Sequence, residues 1–279
     1  MQVLYAVAAL GGIGILFGVL LALVARFFAV QSDPRVEAVR EVLPGANCGA
    51  CGYAGCTNFA EAVVGGEAKI DGCIPGGSET AKEIAALLGQ EAIETVPLVA
   101  TVFCIGDNRM AKDLFVYDGI QDCAVAMKYA NGFKACTYGC LGLGNCVRAC
   151  PFEAITIGPG GLPVVDKEKC NGCGLCAKAC PRNIIQILPK GTAGHLVLCA
   201  SHDRGKSVTL ACEVGCMACK ACVKACPQEA ITMQDNLAVI DLEKCDDCGE
   251  CVAACKPGTI HPRRNLPVAA PRPQDQVAV

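Results

Sequence analysis

The chain has 279 residues, among them 24 cysteines, 8 phenylalanines, 5 tyrosines and no tryptophan, with a formal net charge of −3. That length suggests two or more modest domains, and so few large aromatics leave an ordinary apolar core short of anchors, so something covalent or inorganic must organise the chain. The small charge points to neither nucleic acid nor a strongly charged partner. Most cysteines fall in tight C-x2-C runs, a poor geometry for separate disulfides and a good one for thiolates gathered on a metal centre in a reducing compartment.

Val3 to Ala25 carries no charge. As a helix it rises about 35 Å, enough to cross a hydrocarbon layer of roughly 30 Å. Arg26 follows, then Arg35 and Arg40. A cleaved signal peptide opens with positive residues before a short apolar stretch, and Met1-Gln2-Val3 does not. The expectation for residues 1–30 is therefore a retained single-pass anchor in the cell membrane, with the body on the cytoplasmic side. Gly12, Gly14 and Gly18 are wrongly spaced for a dinucleotide fingerprint. Gly14-x3-Gly18 reads either as a packing face for another membrane helix or as glycines tolerated in lipid.

Residues 31–90 form a first cysteine domain. Asp33 to Leu43 reads as a polar linker or helix. Then come Cys48-x2-Cys51-x4-Cys56 and, 17 residues later, Cys73. Four cysteines make a full ligand set, and the small residues between them let the backbone approach a cluster and donate N–H bonds to its sulfurs. Ser78, with Glu79 and Glu83 nearby, predicts a capped helix over Ser78–Gln90 with Ile84, Leu87 and Leu88 on one face. Val96 to Phe103 predicts a strand inside a mixed connecting segment, 91–132.

The rest is an internal repeat: a cysteine run, a proline, a β-branched strand, a turn, a second strand and the next run. Cys170-x2-Cys173-x2-Cys176-x3-Cys180-Pro181 and Cys216-x2-Cys219-x2-Cys222-x3-Cys226-Pro227 match the bacterial ferredoxin pattern; Cys245-x2-Cys248-x2-Cys251-x3-Cys255 matches except for Lys256 before Pro257. In that pattern three thiolates wrap one [4Fe–4S] cube and the fourth reaches the neighbouring one. Cys136-x3-Cys140-x5-Cys146-x3-Cys150-Pro151 is the odd member. Crossed ligation predicts the sets Cys136, Cys140, Cys146 and Cys180; Cys150, Cys170, Cys173 and Cys176; Cys216, Cys219, Cys222 and Cys255; and Cys226, Cys245, Cys248 and Cys251. With Cys48, Cys51, Cys56 and Cys73, five [4Fe–4S] clusters are expected. The domains follow as module 1 over 133–190, a hairpin insertion over 191–212, module 2 over 213–261 and a disordered tail over 262–279.

Zinc sites favour separated C-x2-C pairs, often with histidine, so a structural zinc protein is the weaker alternative. His195, His202 and His261 read as surface or loop residues. Cys104, Cys123, Cys199 and Cys212 carry no ligand signature; they read as buried free thiols, a sixth cluster being the sharper alternative.

The order of motifs resembles a known family. An apolar helix precedes Leu43-Pro44-Gly45-Ala46-Asn47-Cys48-Gly49-Ala50-Cys51-Gly52 with Gly55-Cys56, then Cys-Leu-Gly-Leu-Gly at 140–144, then repeated ferredoxin runs. This is similar to the B subunit of Rnf-type ion-translocating ferredoxin:NAD oxidoreductase complexes. The resemblance implies an α+β chain: one N-terminal transmembrane helix, a small [4Fe–4S] domain and two tandem ferredoxin-like modules. It implies an electron-relay subunit fed by reduced ferredoxin and passing electrons toward a flavin- and NAD-binding partner, coupled to Na⁺ or H⁺ pumping. No catalytic residue stands out. An electron-transfer subunit of another membrane oxidoreductase, such as a quinone-linked one, is the alternative within redox proteins. Lys220 and Lys224 beside Cys222, and Lys178 and Arg182 beside Cys180, are candidates for steering an acidic ferredoxin or are ordinary solvated surface.

Overall fold

The computed structural model describes residues 2–27, 33–91, 96–191 and 193–266. Helix α1, Gln2–Phe27, has 26 residues, and its described side chains are exposed, with nothing within 4 Å of where a Cβ on Gly14 or Gly18 would stand. Those side chains run unbroken only over 10–24. Among the described residues no helix is long and apolar enough to cross a membrane. The structure thus does not establish the anchor expected over Val3–Ala25.

The polar stretch after it is a helix, α2 (Pro34–Val42). Asp33 caps it by accepting the Arg35 backbone N–H at 2.9 Å, with proline in the first turn, where its missing N–H costs nothing. It packs on α3 (Cys56–Val64) and α4 (Gly77–Leu88) around Val39, Phe59 and Ile84, all essentially buried. Ser78 does not cap α4 as expected: the helix opens at Gly77, behind Gly76 and without a side-chain cap. Ile84 and Leu88 face the core, whereas Leu87 remains 46% exposed.

Two modules of one plan follow. In the first, β1 (Leu98–Val102) pairs antiparallel with β4 (Ile185–Pro189), and a hairpin of β2 (Ile155–Ile157) and β3 (Pro163–Val165) lies between them in sequence. Short helices α5 (Cys123–Met127), α6 (Asn145–Arg148) and α7 (Leu175–Ala179) carry cysteines. In the second, β5 (His195–Val197) pairs with β8 (Ile260–Pro262) around the hairpin of β6 (Ile231–Gln234) and β7 (Leu237–Ile240). Its helices are α8 (Gly205–Ala211), α9 (Ala221–Ala225) and α10 (Glu250–Ala254).

Both internal hairpins sit where the β-branched runs put them. The outer strand of each module comes from farther away. The expected connecting segment 91–132 supplies β1, and the expected hairpin insertion 191–212 is no hairpin: it supplies β5 and α8. A strand whose partner lies some 65 to 90 residues on leaves no local turn signal. His195 is likewise not a surface residue; it is buried in β5, and His261 is half-buried in β8. The expected disordered tail does not begin at 262, since Pro262 ends β8 and Arg263–Asn265 form a 3-10 turn; from 267 on it lies outside the described residues. Each module core is small and built partly from thiols: Cys146 and Cys176 among Ile155, Ile184 and Ile185, and Cys222 and Cys251 among Val197, Ile231 and Ile260. The shortage of aromatics is met by sulfur.

Candidate metal centres

Each run uses one local device. Just before its short helix, the chain turns through a left-handed residue: Gly144 (φ 78°), Gly174 (77°), Lys220 (58°) or Gly249 (83°). That turn curls the preceding loop so that its thiols face one side. The helix then buries Cys146, Cys176, Cys222 or Cys251. The fourth cysteine closes the helix and is carried toward the other half of its module.

One pocket is lined by Cys216, Cys219, Cys222 and Cys255, so the last thiol of the fourth run meets the third run. Burial pushes the Cys251 thiol up to about 11, with Cys245, Cys226 and Cys248 acting on it in that order. In module 1, burial raises the Cys173 thiol, and Cys48, Cys150 and Cys170 also act on it. Burial lifts Cys176 to about 12, with Cys173 and Cys170 next. In the first domain Cys73 is raised by burial, with Cys56, Cys51 and Cys48 as its neighbours. Asn47 ties that loop by accepting the Cys56 backbone N–H at 2.9 Å.

The odd run departs from its expected set. Cys140, Cys146 and Cys180 line a common pocket, but the fourth cysteine there is Cys123. Cys136 lines a different pocket. Cys123 opens α5 and is tethered to the run: its N–H donates to Asn145 Oδ1 at 2.7 Å, and Asn145 Nδ2 donates to Asp122 at 2.9 Å. Sequence reasoning missed Cys123 because it stands alone, 17 residues before Cys140.

These sites fit an iron–sulfur cluster. Their ligands are all thiols, and amide N–H groups point at several sulfurs: Ala100 at Cys170, Ala154 at Cys150 and Thr259 at Cys255, each at 3.4 Å. Such bonds suit thiolates on a cluster and raise its potential. Among the described residues no three His, Cys, Asp or Glu side chains converge tightly enough for one metal ion, whereas the thiols of a cube each take a different iron.

Comparison with known proteins agrees. A family model described as a putative Fe-S cluster matches residues 43–75, a 4Fe-4S binding domain matches 163–186, and a 4Fe-4S dicluster domain matches 215–261. The B subunit of an ion-translocating oxidoreductase complex from Methanosarcina acetivorans is 47% identical over 89% of this chain and 94% of the relative. The B subunit of a Na(+)-translocating ferredoxin:NAD(+) oxidoreductase complex from Acetobacterium woodii is 48% identical over 91% of this chain and 76% of the relative. Its counterpart from a proton-translocating complex of Clostridium ljungdahlii is 47% identical over 89% and 88%. At such identity across nearly the whole length, the chain belongs to the family of B subunits of ion-translocating ferredoxin:NAD(+) oxidoreductase complexes.

Proposed function

We propose that this subunit relays electrons from reduced ferredoxin toward the NAD-reducing and membrane-embedded partners of its complex, through sites held by five sets of four cysteines. The sets are Cys48, Cys51, Cys56 and Cys73; Cys150, Cys170, Cys173 and Cys176; Cys123, Cys140, Cys146 and Cys180; Cys216, Cys219, Cys222 and Cys255; and Cys226, Cys245, Cys248 and Cys251. A [4Fe–4S] cluster bound at each supplies one-electron chemistry over a wide span of potentials. The protein's part is to hold the thiolates, keep water out and aim amide N–H groups at sulfur.

The observation that carries this reading is the adjacency of neighbouring sets. Cys48 acts on Cys173, linking the first domain to module 1, and the pocket lined by Cys73 and Cys170 lies across the same junction. Cys146 acts on Cys176, linking the two sets of module 1. In module 2, α9 carries Cys222 of one set and leads directly into Cys226 of the other.

Electrons enter at module 2 in this reading. Of the 24 cysteines, Cys219 and Cys248 are the exposed ones, and both belong there. Lys220 and Lys224 are exposed beside Cys219 and suit an acidic donor protein. Arg182 does not share that role: it is partly buried, and its guanidinium is spent on the Asn131 carbonyl. Electrons leave through the first domain, which follows α1 closely. We read α1 as a single-pass anchor because Val3 to Ala25 is uncharged and followed by Arg26.

Cys51→Ala in the intact complex tests the direction. Ferredoxin should still reduce the module 2 clusters, while reduction of NAD(+) stops. Loss of module 2 reduction would place the point of arrival at the first domain instead. Deleting residues 1–30 should release the chain from membranes stripped of partner subunits, with its iron retained. A truncated chain that stays with those membranes would refute the anchor.

A further inference from the structure

Each module holds two cysteines that its own sets leave out, and they occupy equivalent places. Cys104 lies just past β1 and Cys199 just past β5. The residue before each is held alike: Phe103 N–H donates to the Ile184 carbonyl at 2.7 Å, and Leu198 N–H to the Thr259 carbonyl at 2.9 Å. Cys136 opens Cys136-Thr137-Tyr138-Gly139-Cys140, and Cys212 opens Cys212-Glu213-Val214-Gly215-Cys216. The pair from module 1 and the pair from module 2 line one pocket, mostly apolar through Phe103, Ile105, Leu198, Val208 and Val214, with Ser201 and Asp203 as its polar members. None of the four lies in a segment matched by a family model. We propose that Cys104, Cys136, Cys199 and Cys212 hold a further [4Fe–4S] cluster at the seam between the two modules.

Three observations support a cluster there rather than spare thiols. The first is amide donation to sulfur, as at the other sets: Cys140 N–H to Cys104 Sγ at 3.5 Å, and both Ser201 and Cys216 N–H to Cys199 Sγ at 3.4 Å. A neutral buried thiol has little need of two amide donors; a cluster-bound thiolate does. The second is close backbone approach. A Cβ on Gly106 would stand 2.8 Å from Cys212 Sγ, closer than a side chain there could come. The third is the way the seam is sewn. Ala111 forms a β-bridge with Cys212, flanked by Lys112 N–H to the Ala211 carbonyl and Glu213 N–H to the Met110 carbonyl, both at 2.9 Å. Those bonds fix a module 2 thiol against module 1 backbone. The four thiols do not converge on one point, since among the described residues no three such groups are close enough for a single ion. A lone zinc, which needs sulfurs about 2.3 Å from one centre, is therefore disfavoured.

The placement gives the site a role that rests on the relay reading. The donors to Cys104 and Cys199 are the backbones of Cys140 and Cys216, which belong to the facing sets of module 1 and module 2. A short path thus runs from the Cys216 set through Cys199, across the seam, and from Cys104 into the Cys140 set. One electron leaves the module 2 cluster, which is oxidised, and reduces the seam cluster; the same electron then reduces the module 1 cluster. No proton or further reactant is required. Without the seam site, the two halves of the relay have no metal centre between them.

The test is iron and sulfide per chain, with EPR after stepwise reduction, on the full chain purified with its clusters under anaerobic conditions. At four irons per cluster, the wild type should hold about 24 iron and about 24 sulfide. Cys104→Ala and Cys136→Ala should each remove about four irons and the same EPR component, and the double variant should remove no more than either alone. Cys123→Ala and Cys219→Ala should each remove a different four; if they do not, the relay assignment fails while the Cys104 comparison still decides the seam site. If Cys104→Ala does not fold, Gly106→Ala removes no ligand but presses on Cys212, and it should shift the same EPR component. The proposal is overturned if the wild type stops at about 20 iron. It is equally overturned if Cys104→Ala keeps all its iron, if the double variant loses about eight, if Gly106→Ala leaves every component unmoved, or if zinc is found in place of the seam iron.

Discussion

Module 1 and module 2 share one plan, yet they assemble corresponding sites from different parts of the chain. Aligned on their Cys-Pro ends, Cys140, Cys146 and Cys150 fall on Cys216, Cys222 and Cys226, and Gly144 falls on Lys220, the left-handed residue that starts each helix. One ligand is missing from this alignment: Leu143 stands where module 2 has Cys219. Module 1 fills the place from outside the run, with Cys123 delivered by α5 and held by Asn145. The difference teaches that the loop fixes where a thiol must point, while the chain is free in how it brings one there. It also moves exposure. Cys219 lies in the loop and is exposed, whereas Cys123, which takes its place in module 1, is partly buried.

The largest effect expected from breaking this comparison is at the replaced ligand. Cys123→Ala should remove one cluster, about four irons, and stop transfer through module 1, while Cys136→Ala should spare that cluster. Adding Leu143→Cys to Cys123→Ala should return the iron, because the thiol then sits where module 2 places Cys219. Iron assay with EPR reads both. A double variant that stays short of iron would mean that module 1 cannot adopt the module 2 arrangement.

A smaller effect is expected in the backbone of the same loop. Gly142 and its counterpart Ala218 both take positive φ, 75° and 57°. Module 2 tolerates a methyl group there. In module 1 a Cβ on Gly142 would stand 2.5 Å from the Gly161 carbonyl oxygen, on the loop between β2 and β3. Gly142→Ala should therefore cost about 2 kcal/mol, from left-handed strain plus displaced backbone. Ala218→Gly should change stability by less than about 1 kcal/mol, since relieved strain offsets added chain entropy. Chemical denaturation of the cluster-loaded protein, followed by visible absorbance, separates the two. Equal losses would remove the steric distinction between the loops.

The two modules also show what could be read from residues alone. The triplets at 170–176, 216–222 and 245–251 were legible because three ligands of one centre share a single loop. The hairpins at 155–165 and 231–240 were legible because both strands flank one turn. Of the outer strands, β1 was legible as a strand within Val96–Phe103 and β5 was not, and neither pairing was legible, since β1 meets β4 and β5 meets β8 only at long range. Nor were the ligands those strands position: Cys104 and Cys199 look like isolated thiols until β1 and β5 are in place. One signal was available. Taking Cys136 as the first member of its run hid the C-x2-G-C sequence it shares with Cys212, and aligning the runs from their Cys-Pro ends exposes it.

The smallest expected effect concerns the tether that lets module 1 use a distant thiol. Asn145 bridges the Cys123 backbone and Asp122, and Arg148 reaches Asp122 at 3.5 Å. The counterparts in module 2 are Ala221 and Lys224, with no such network to hold. Asn145→Ala should speed loss of module 1 iron to a chelator a few-fold, because the Cys123 N–H loses its acceptor, a change of about 1 kcal/mol. Ala221→Asn should leave module 2 unchanged. The pH dependence follows from Asp122, whose pKa is lowered mainly by the Val125 backbone N–H it accepts, with the Asn145 amide and Arg148 adding to it. A carboxyl group with a depressed folded pKa contributes stability that is fully present above its unfolded value of about 3.9 and is lost as pH falls through the folded value. Iron retention in the wild type should accordingly be flat between about pH 5 and 8 as far as this group is concerned. Asp122→Asn should remove the charge at every pH in that range while keeping a side-chain oxygen to cap α5, so its effect should be smaller than that of Asn145→Ala. An effect of Asp122→Asn that grew toward neutral pH would show that another group, not this carboxylate, holds Cys123 in place.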